Sequence, residues 1–407
     1  MRQAGVDVCF GVDHCADAAA SYETNLQSLC LQLDLSKPHG FDTVVKRLGA
    51  APSLVFGGPP CQGFTSAGMQ RNDDPRNRLI LSYLDFISAL RPRWFLFENV
   101  EGLLTANRGE DVSALVTLLV KAGYVVSLAK INFAGYGLPQ SRKRVVIIGN
   151  NVGAPMEFPC ETHSYDSGKV KSSLGLMAGP TVDDAIGDLP APSEECGQLP
   201  YGSSSKVSAY AKKLKAGSSR ITHHQRKAGP RQMEAVRHLG PGQSMKDLPE
   251  RLQHPSFKAR ANRRVSDGYA SERRGGAPSG LIRLNGNMAS RTITSASSRE
   301  FIHPSQDRPL TSRECARLQS FPDGFQFSGS GQSVQRQIGN AIPPLGARML
   351  GTMVAVMDGR YGSDTRTDPP IPPGLISYSV TQSKGMSPAL KRTVMKLDRL
   401  RPPARQC

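Results

Sequence analysis

"SLVFGGPPCQGF", residues 53–64, decides the fold. A short run of strand-forming residues meets two glycines, so the strand stops there, and two prolines then stiffen the turn in front of a lone thiol, Cys61. The same design recurs on either side. "VDVCFGVD" (6–13) is an apolar strand ending in an acid, and "WFLFENV" (94–100) is one ending in polar residues. Helical spacing separates these strands: "DAAASYETNL" (17–26), then "NRLILSYLDFISAL" (77–90) with Leu79, Leu84, Ile87 and Leu90, then a helix over about 111–121. "YVVSLAKI" (124–131) and "RVVIIG" (144–149) close the series. Strand alternating with helix predicts a doubly wound, largely parallel α/β sheet over residues 1–150.

The chain has 407 residues, 38% hydrophobic and 21% charged, which suits two domains rather than one core. No apolar run reaches the roughly 18 residues a membrane span needs, and no signal peptide opens the chain, so a cytoplasmic protein is expected. Its eight cysteines show neither CxxC pairs nor ladder spacing; reduced thiols and no metal site follow. The net charge is +17. Residues 201–300 hold 20 Lys and Arg against 6 Asp and Glu, and so carry most of that surplus. A basic region poor in apolar periodicity is the composition of a surface that meets a phosphate backbone.

Composition divides the chain further. Residues 151–305 turn to Ser, Gly, Pro and basic residues and read as a second, smaller, basic domain. In 306–360, "LTSRECARLQSF" (310–321) predicts a helix capped by Thr311 or Ser312, and a helix over about 345–358 returns to complete the first domain. Residues 361–407, with Pro369, Pro370, Pro372 and Pro373, read as a flexible tail.

In open α/β sheets, ligands sit beyond the carboxyl ends of the strands, where Asp13, Cys61 and Glu98 all fall. Cys61 stands in a loop stiff on one side and compliant on the other, which holds a thiol in place for nucleophilic work. Glu98 ends a buried strand, where desolvation raises a carboxyl pKa and suits it to donate a proton. Gln140, Arg142 and Arg144 alternate in "YGLPQSRKR" (136–144), which puts them on one face of an extended segment. A strand-end acid can simply cap a turn, and alternating arginines can line a solvated face; the coincidence with Cys61 favours the chemical role.

"GGPPCQGFTSAG", "FENVEGLL", "YGLPQSRKR", "RPLTSRECARLQSFPD" and "QIGNAIPP" resemble, in order, five motifs of the DNA (cytosine-5)-methyltransferase family. The resemblance covers residues 1 to about 150 and 303 to about 358; the stretch between corresponds to that family's variable target-recognition domain. It implies a Rossmann-like S-adenosylmethionine-dependent methyltransferase sheet. Cys61 would be the nucleophile adding to carbon 6 of a flipped-out cytosine, with Glu98 on ring nitrogen 3. Asn99 would order the loop and Arg144 hold the 2-oxo group, with Gln140 and Arg142 supporting it. For the cofactor, S-adenosylmethionine, the resemblance implies Asp13 on the ribose, His14 on adenine, Asp34 and Leu35 at the adenine edge, and Pro60, Leu79, Asn340 and Ile342 as lining. It implies double-stranded DNA as partner, a monomer, and a restriction endonuclease as the companion such enzymes can have.

The sequence departs from the family at one place. The strand and glycine-rich turn that precede the segment matching "RQAGVDV" are absent. An N-terminally truncated reading frame accounts for this better than a homologue that has lost its cofactor, because Cys61, Glu98 and Arg144 are all present. A cofactor-deficient DNA-binding homologue and an RNA cytosine-5 methyltransferase are the alternative readings.

Overall fold

The computed structural model describes residues 1–59, 75–165, 175–195, 197–201, 207–226, 233–255, 257, 280–361, 370–380 and 386–402. Two short parallel strands come first, β1 (Gly11–Asp13) and β2 (Cys30–Gln32), linked by helix α1 (Ala16–Leu26). Helix α2 (Pro38–Leu48) leads to β3 (Leu54–Gly57), α3 (Pro75–Leu90), β4 (Trp94–Val100), α4 (Glu110–Lys121), β5 (Val125–Asn132) and β6 (Lys143–Asn150). The central sheet has the order β7-β5-β6-β4-β3, where β7 is Gly374–Ser379.

This sheet is mixed rather than largely parallel. β3–β4 and β5–β7 pair parallel, but β6 runs antiparallel to both β4 and β5. The reason lies between residues 132 and 143, where no helical pattern supplies the crossover a parallel return requires. Trp94 and Leu96 of β4 face a cluster with Phe133, Leu350 and Val354, while Phe95 and Phe97 face Ile80, Leu115 and Leu119. Both faces are covered, which is why the sequence of β4 is apolar almost throughout rather than alternating.

Residues beyond 361 are not a flexible tail where they are described. β7 pairs with β5 from Gly374 with Val125 to Ser379 with Ala129, with one register shift between Leu375 and Ser377. The following helix (Pro388–Asp398) buries Thr393 and Leu397, and Thr393 Oγ1 donates to Leu104 O at 2.6 Å. The prolines form a short lead-in; Leu375, fully buried, supplies the apolar anchor that fixes the strand.

The segment 306–360 is also divided. Its last helix (Pro344–Tyr361) lies on the sheet, with Asp358 Oδ1 accepting from Trp94 Nε1 at 2.7 Å. Its first two helices, Ser312–Leu318 and Gly331–Asn340, share instead a core with Val182, Ala185, Tyr210, Leu214, Ile282 and Phe301 of the middle segment. Buried arginines bind these parts together. Arg317 donates to Asp323 at 2.8 and 2.6 Å, to Ala185 O at 3.0 Å and to Asp188. Arg308 forms a two-pronged pair with Glu314, at 2.9 and 2.7 Å. Thr311 caps the helix as the sequence predicts, in a capping box with Glu314.

One discontinuity remains. Among the described residues β1 pairs with β2 alone and β3 with β4 alone, so each has a free edge. Packing, not strand pairing, ties β1 and β2 to the rest: Ser21 donates to Gln337 Oε1 at 2.6 Å, and the rings of Phe41 and Phe86 lie 4.6 Å apart. Phe56 of β3 is 41% exposed, unlike the buried aromatic residues of β4.

Candidate active site

β4 and β6 build the centre of the site. Their antiparallel register sets Val100 opposite Arg144 and Glu98 opposite Val146. Side chains alternate along a strand, so Glu98 and Arg144 emerge on the same face as Trp94 and Leu96. Arg144 Nε stands 2.9 Å from Glu98 Oε1. The N–H does not point at that oxygen, and Oε1 is left without an aligned donor.

Burial pushes the Glu98 carboxyl pKa up, against the opposing pull of Arg144 and then Arg142. Burial likewise lowers Arg144, with Glu98 restoring part of the loss. Arg142 is brought down to about 9, by burial first and then by repulsion from Arg144. The three groups form one electrostatic unit in which burial raises the acid while both guanidinium groups pull it down.

The turn after β3 closes over this unit. A Cβ at Gly58 would lie 2.9 Å from Glu98 Oε2, so a larger residue there would have to displace that carboxylate. Asn99 Nδ2 donates to Pro59 O at 2.8 Å and pins the same turn, while Asn99 Oδ1 accepts from the Val100 amide. Pro60 and Cys61 follow directly in the sequence and lie outside the described residues. A cavity of about 430 Å³ opens beside Arg144, lined by Val100, Glu101, Ser141, Lys143, Arg291 and Thr292 among others. Its walls therefore come from both the sheet and the middle segment.

Gln140 and Arg142 are not open to a ligand in the way Arg144 is. Gln140 is fully buried, with its amide nitrogen donating to Leu318 O and Gln319 Oε1 and its oxygen accepting from Ile293 N. Arg142 spends both Nη groups on the carbonyls of Ile293, Gly339 and Ala341; its Nε has no partner. The alternation along 140–144 hides a division of labour.

Four of the residues expected around a cofactor, Asp13, His14, Asp34 and Leu35, follow or end β1 and β2; Pro60 lies outside the described residues. Asp13 ends β1, with Oδ1 accepting from the Cys15 amide at 2.8 Å. His14 Nδ1 is 3.5 Å from that oxygen, and its side chain is 81% exposed. Asp34 follows β2, and its carboxyl is held below the usual range by hydrogen bonds from Ser36, then by Lys37 and His14. Leu35 and Leu79 are half-buried, Asn340 is the exposed last residue of its helix, and Ile342 packs on the edge of the sheet cluster.

The sequence reading did not single out Arg308, Arg313, Arg317, Asp188 or Asp323. Arg313 and Arg317 stand four apart in "SRECARLQSF", where one helical face carries arginine and the rest has no solvent-facing partner for it. That spacing was the available signal.

Comparison with known proteins places this geometry in a class. A family model described as C-5 cytosine-specific DNA methylase matches residues 1–355. The chain belongs to this family of DNA cytosine-5 methyltransferases. It is 31% identical over 419 aligned residues to the Type II methyltransferase M.AgeI of Thalassovita gelatinovora, covering 88% of this chain and 96% of that protein. It is 33% identical to the Type II methyltransferase M1.HphI of Haemophilus parahaemolyticus, over 75% of this chain and 68% of the other. Among solved structures, a putative DNA modification methyltransferase encoded within a prophage of E. coli aligns with a TM-score of 0.64 at 23% identity. That alignment covers 88% of this chain and 94% of the other, and speaks for the fold. No helix among the described residues is long and apolar enough to cross a membrane.

Proposed function

We propose that this chain transfers a methyl group from S-adenosylmethionine to carbon 5 of a cytosine flipped out of duplex DNA, through a covalent adduct on Cys61. The observation that carries the reading is the Glu98–Arg144 unit beneath Gly58 and Pro59, the latter two residues ahead of Cys61 in the sequence.

An aromatic carbon is a poor nucleophile, and addition of a thiolate at carbon 6 breaks the aromaticity and makes carbon 5 enamine-like. Neutral Glu98 donates its proton to ring nitrogen 3 as the thiolate adds, so negative charge does not build up on the ring. Arg144 holds the 2-oxo group. Its guanidinium stands beside Glu98 and at the wall of the cavity, in reach of a base that enters there. Asn99 keeps the thiol-bearing turn in place. Carbon 5 would take the methyl group as the donor's S–CH3 bond breaks to leave a neutral thioether, then lose its own proton to a base; the electron pair released expels Cys61 as thiolate, and nitrogen 3 returns its proton to Glu98. The target must leave the stack, because its ring faces are shielded within the duplex.

The donor set at β1 and β2 fits the adenosine part of S-adenosylmethionine: carboxylates on Asp13 and Asp34 to accept from hydroxyls and an amine, with His14 as an exposed ring. Leu35, Leu79, Asn340, Ile342 and Pro60 are its proposed lining. When bound, that cofactor supplies an electrophilic methyl group. Exposed Lys212, Lys213, Arg220 and Arg237 of the middle segment supply charge for the phosphate backbone. We assign residues 151–305 as the target-recognition part and place the enzyme with type II modification enzymes, acting as a monomer.

Transfer of radiolabelled methyl from S-adenosylmethionine to mixed-sequence duplex DNA tests this, with Cys61→Ala as control. Label that depends on Cys61 is expected. A second reading, a DNA-binding homologue with a weakened cofactor site, draws on the free edges of β1 and β3. It predicts salt-sensitive DNA binding without transfer.

A further inference from the structure

Ile293 is gripped at both ends of its residue. Gln140 Oε1 accepts from its N–H at 2.8 Å, and Arg142 Nη1 donates to its carbonyl at 2.9 Å. The same two side chains reach the turn that ends the helix Gly331–Asn340. Arg142 Nη2 donates to Gly339 O and Ala341 O at 2.9 Å each. Gln140 Nε2 donates to Gln319 Oε1 at 2.8 Å, and Gln319 Nε2 donates to Ile338 O at 2.6 Å. Two buried side chains thus form parallel links between Ile293 and residues 338–341.

Their two ends belong to different parts of the site. Asn340, between the carbonyls that Arg142 holds, belongs to the proposed cofactor lining. Arg291 and Thr292, just before Ile293, line the cavity beside Arg144. The backbones also touch directly, because a Cβ at Gly339 would lie 2.4 Å from Ser295 N. Further along the seam, Ser141 N donates to Ser290 O and Thr292 Oγ1 donates to Ser141 O, both at 2.8 Å. Arg142 also stands close enough to Glu98 to pull its carboxyl pKa down against burial.

We propose that Arg142, assisted by Gln140, is a positioning residue that couples cofactor occupancy at 338–342 to the cavity wall at 290–293. The inference rests on the cofactor reading above. When residues 339–341 settle around a bound cofactor, the shared guanidinium passes the restraint to Ile293, and the wall that receives the base stiffens with it. Such coupling is reciprocal, so an ordered wall strengthens cofactor binding by the same factor. A planar fork spanning three carbonyls is needed, and lysine, a point donor, cannot replace it.

Hydrogen exchange of the full chain, with and without S-adenosylhomocysteine, tests the link. In the wild type the ligand should slow exchange at 338–342 and, by roughly fivefold, at 290–295. In Arg142→Lys the first effect should persist and the second vanish. Should Arg142→Lys fail to fold by circular dichroism, Gln140→Ala carries the same comparison. Protection at 338–342 without protection at 290–295 in the wild type overturns the coupling and leaves the cofactor reading standing. So does protection at 290–295 that survives in the folded variant. No protection anywhere, including 13–36, overturns the cofactor reading and the coupling with it.

Discussion

Arg144 Nε lies 2.9 Å from Glu98 Oε1 while that oxygen finds no aligned donor, so the buried ion pair of the site is incomplete. Burial of Glu98 keeps its carboxyl pKa raised despite the neighbouring guanidinium groups. The Arg144 guanidinium has N–H groups beyond the one facing Glu98, so the pair can still hold a third group.

Glu98→Gln should therefore lower kcat by roughly 100-fold, since glutamine keeps a donor but has no proton to give. The raised carboxyl pKa makes the active, protonated form decline as pH rises. Thiolate formation at Cys61 acts in the opposite sense, so wild-type kcat should be bell-shaped. The variant should lose the descending limb, as read from single-turnover methylation across pH.

Arg317 joins Asp188 and Asp323 in a network with no solvent access to the guanidinium. Removing it leaves Asp188 with Lys215 alone and Asp323 with the Tyr201 hydroxyl, two buried carboxylates stripped of their main partner. Arg317→Ala should destabilise the fold by about 3–5 kcal/mol in denaturant titration, far beyond the loss of its packing alone. A loss below 1 kcal/mol would mean that the network does not hold the middle segment to the helices after it.

Asp111 is buried beside Asn107, which donates to Oδ1 at 3.3 Å while Oδ2 has no partner. Burial, with help from Glu110, pushes its carboxyl pKa up to about 6. Because the folded value exceeds the unfolded one, its contribution to stability is complete below about pH 4 and is lost as pH rises through 6. Asp111→Asn should raise the Tm by a few degrees at pH 8, corresponding to about 1 kcal/mol, and change little at pH 4. Equal shifts at both pH values would contradict this.

The free edges of β1 and β3 make a further prediction. Amides of Gly11–Asp13 and Leu54–Gly57 that face those edges should exchange at least about 100-fold faster than those of β4 and β6. Equal protection would mean that another strand covers them.

Much of this arrangement was legible in the sequence because its signals are local. "WFLFENV" reads as a strand by its apolar run, and the Thr311–Glu314 spacing reads as a cap. Glu98 and Arg144 could be singled out individually because each ends or begins an apolar strand. Their pairing depends on the antiparallel register of β4 with β6, a long-range choice that alternation alone does not encode. The roles of Gln140 and Arg142 were hidden for the same reason, since their partners lie at Ile293, Gln319, Gly339 and Ala341. β7 was missed because prolines dominate the composition around six residues whose only strong mark is the buried Leu375.

The central claim is covalent catalysis by Cys61, and its most direct test is trapping on a duplex whose cytosines carry fluorine at carbon 5. Fluorine cannot leave as the proton does, so the adduct stalls. With S-adenosylmethionine present, mass spectrometry should find the peptide containing Cys61 joined to the modified base, and Cys61→Ala should abolish the product. Methyl transfer to ordinary duplex without any such adduct, or an adduct that persists in Cys61→Ala, would contradict the account.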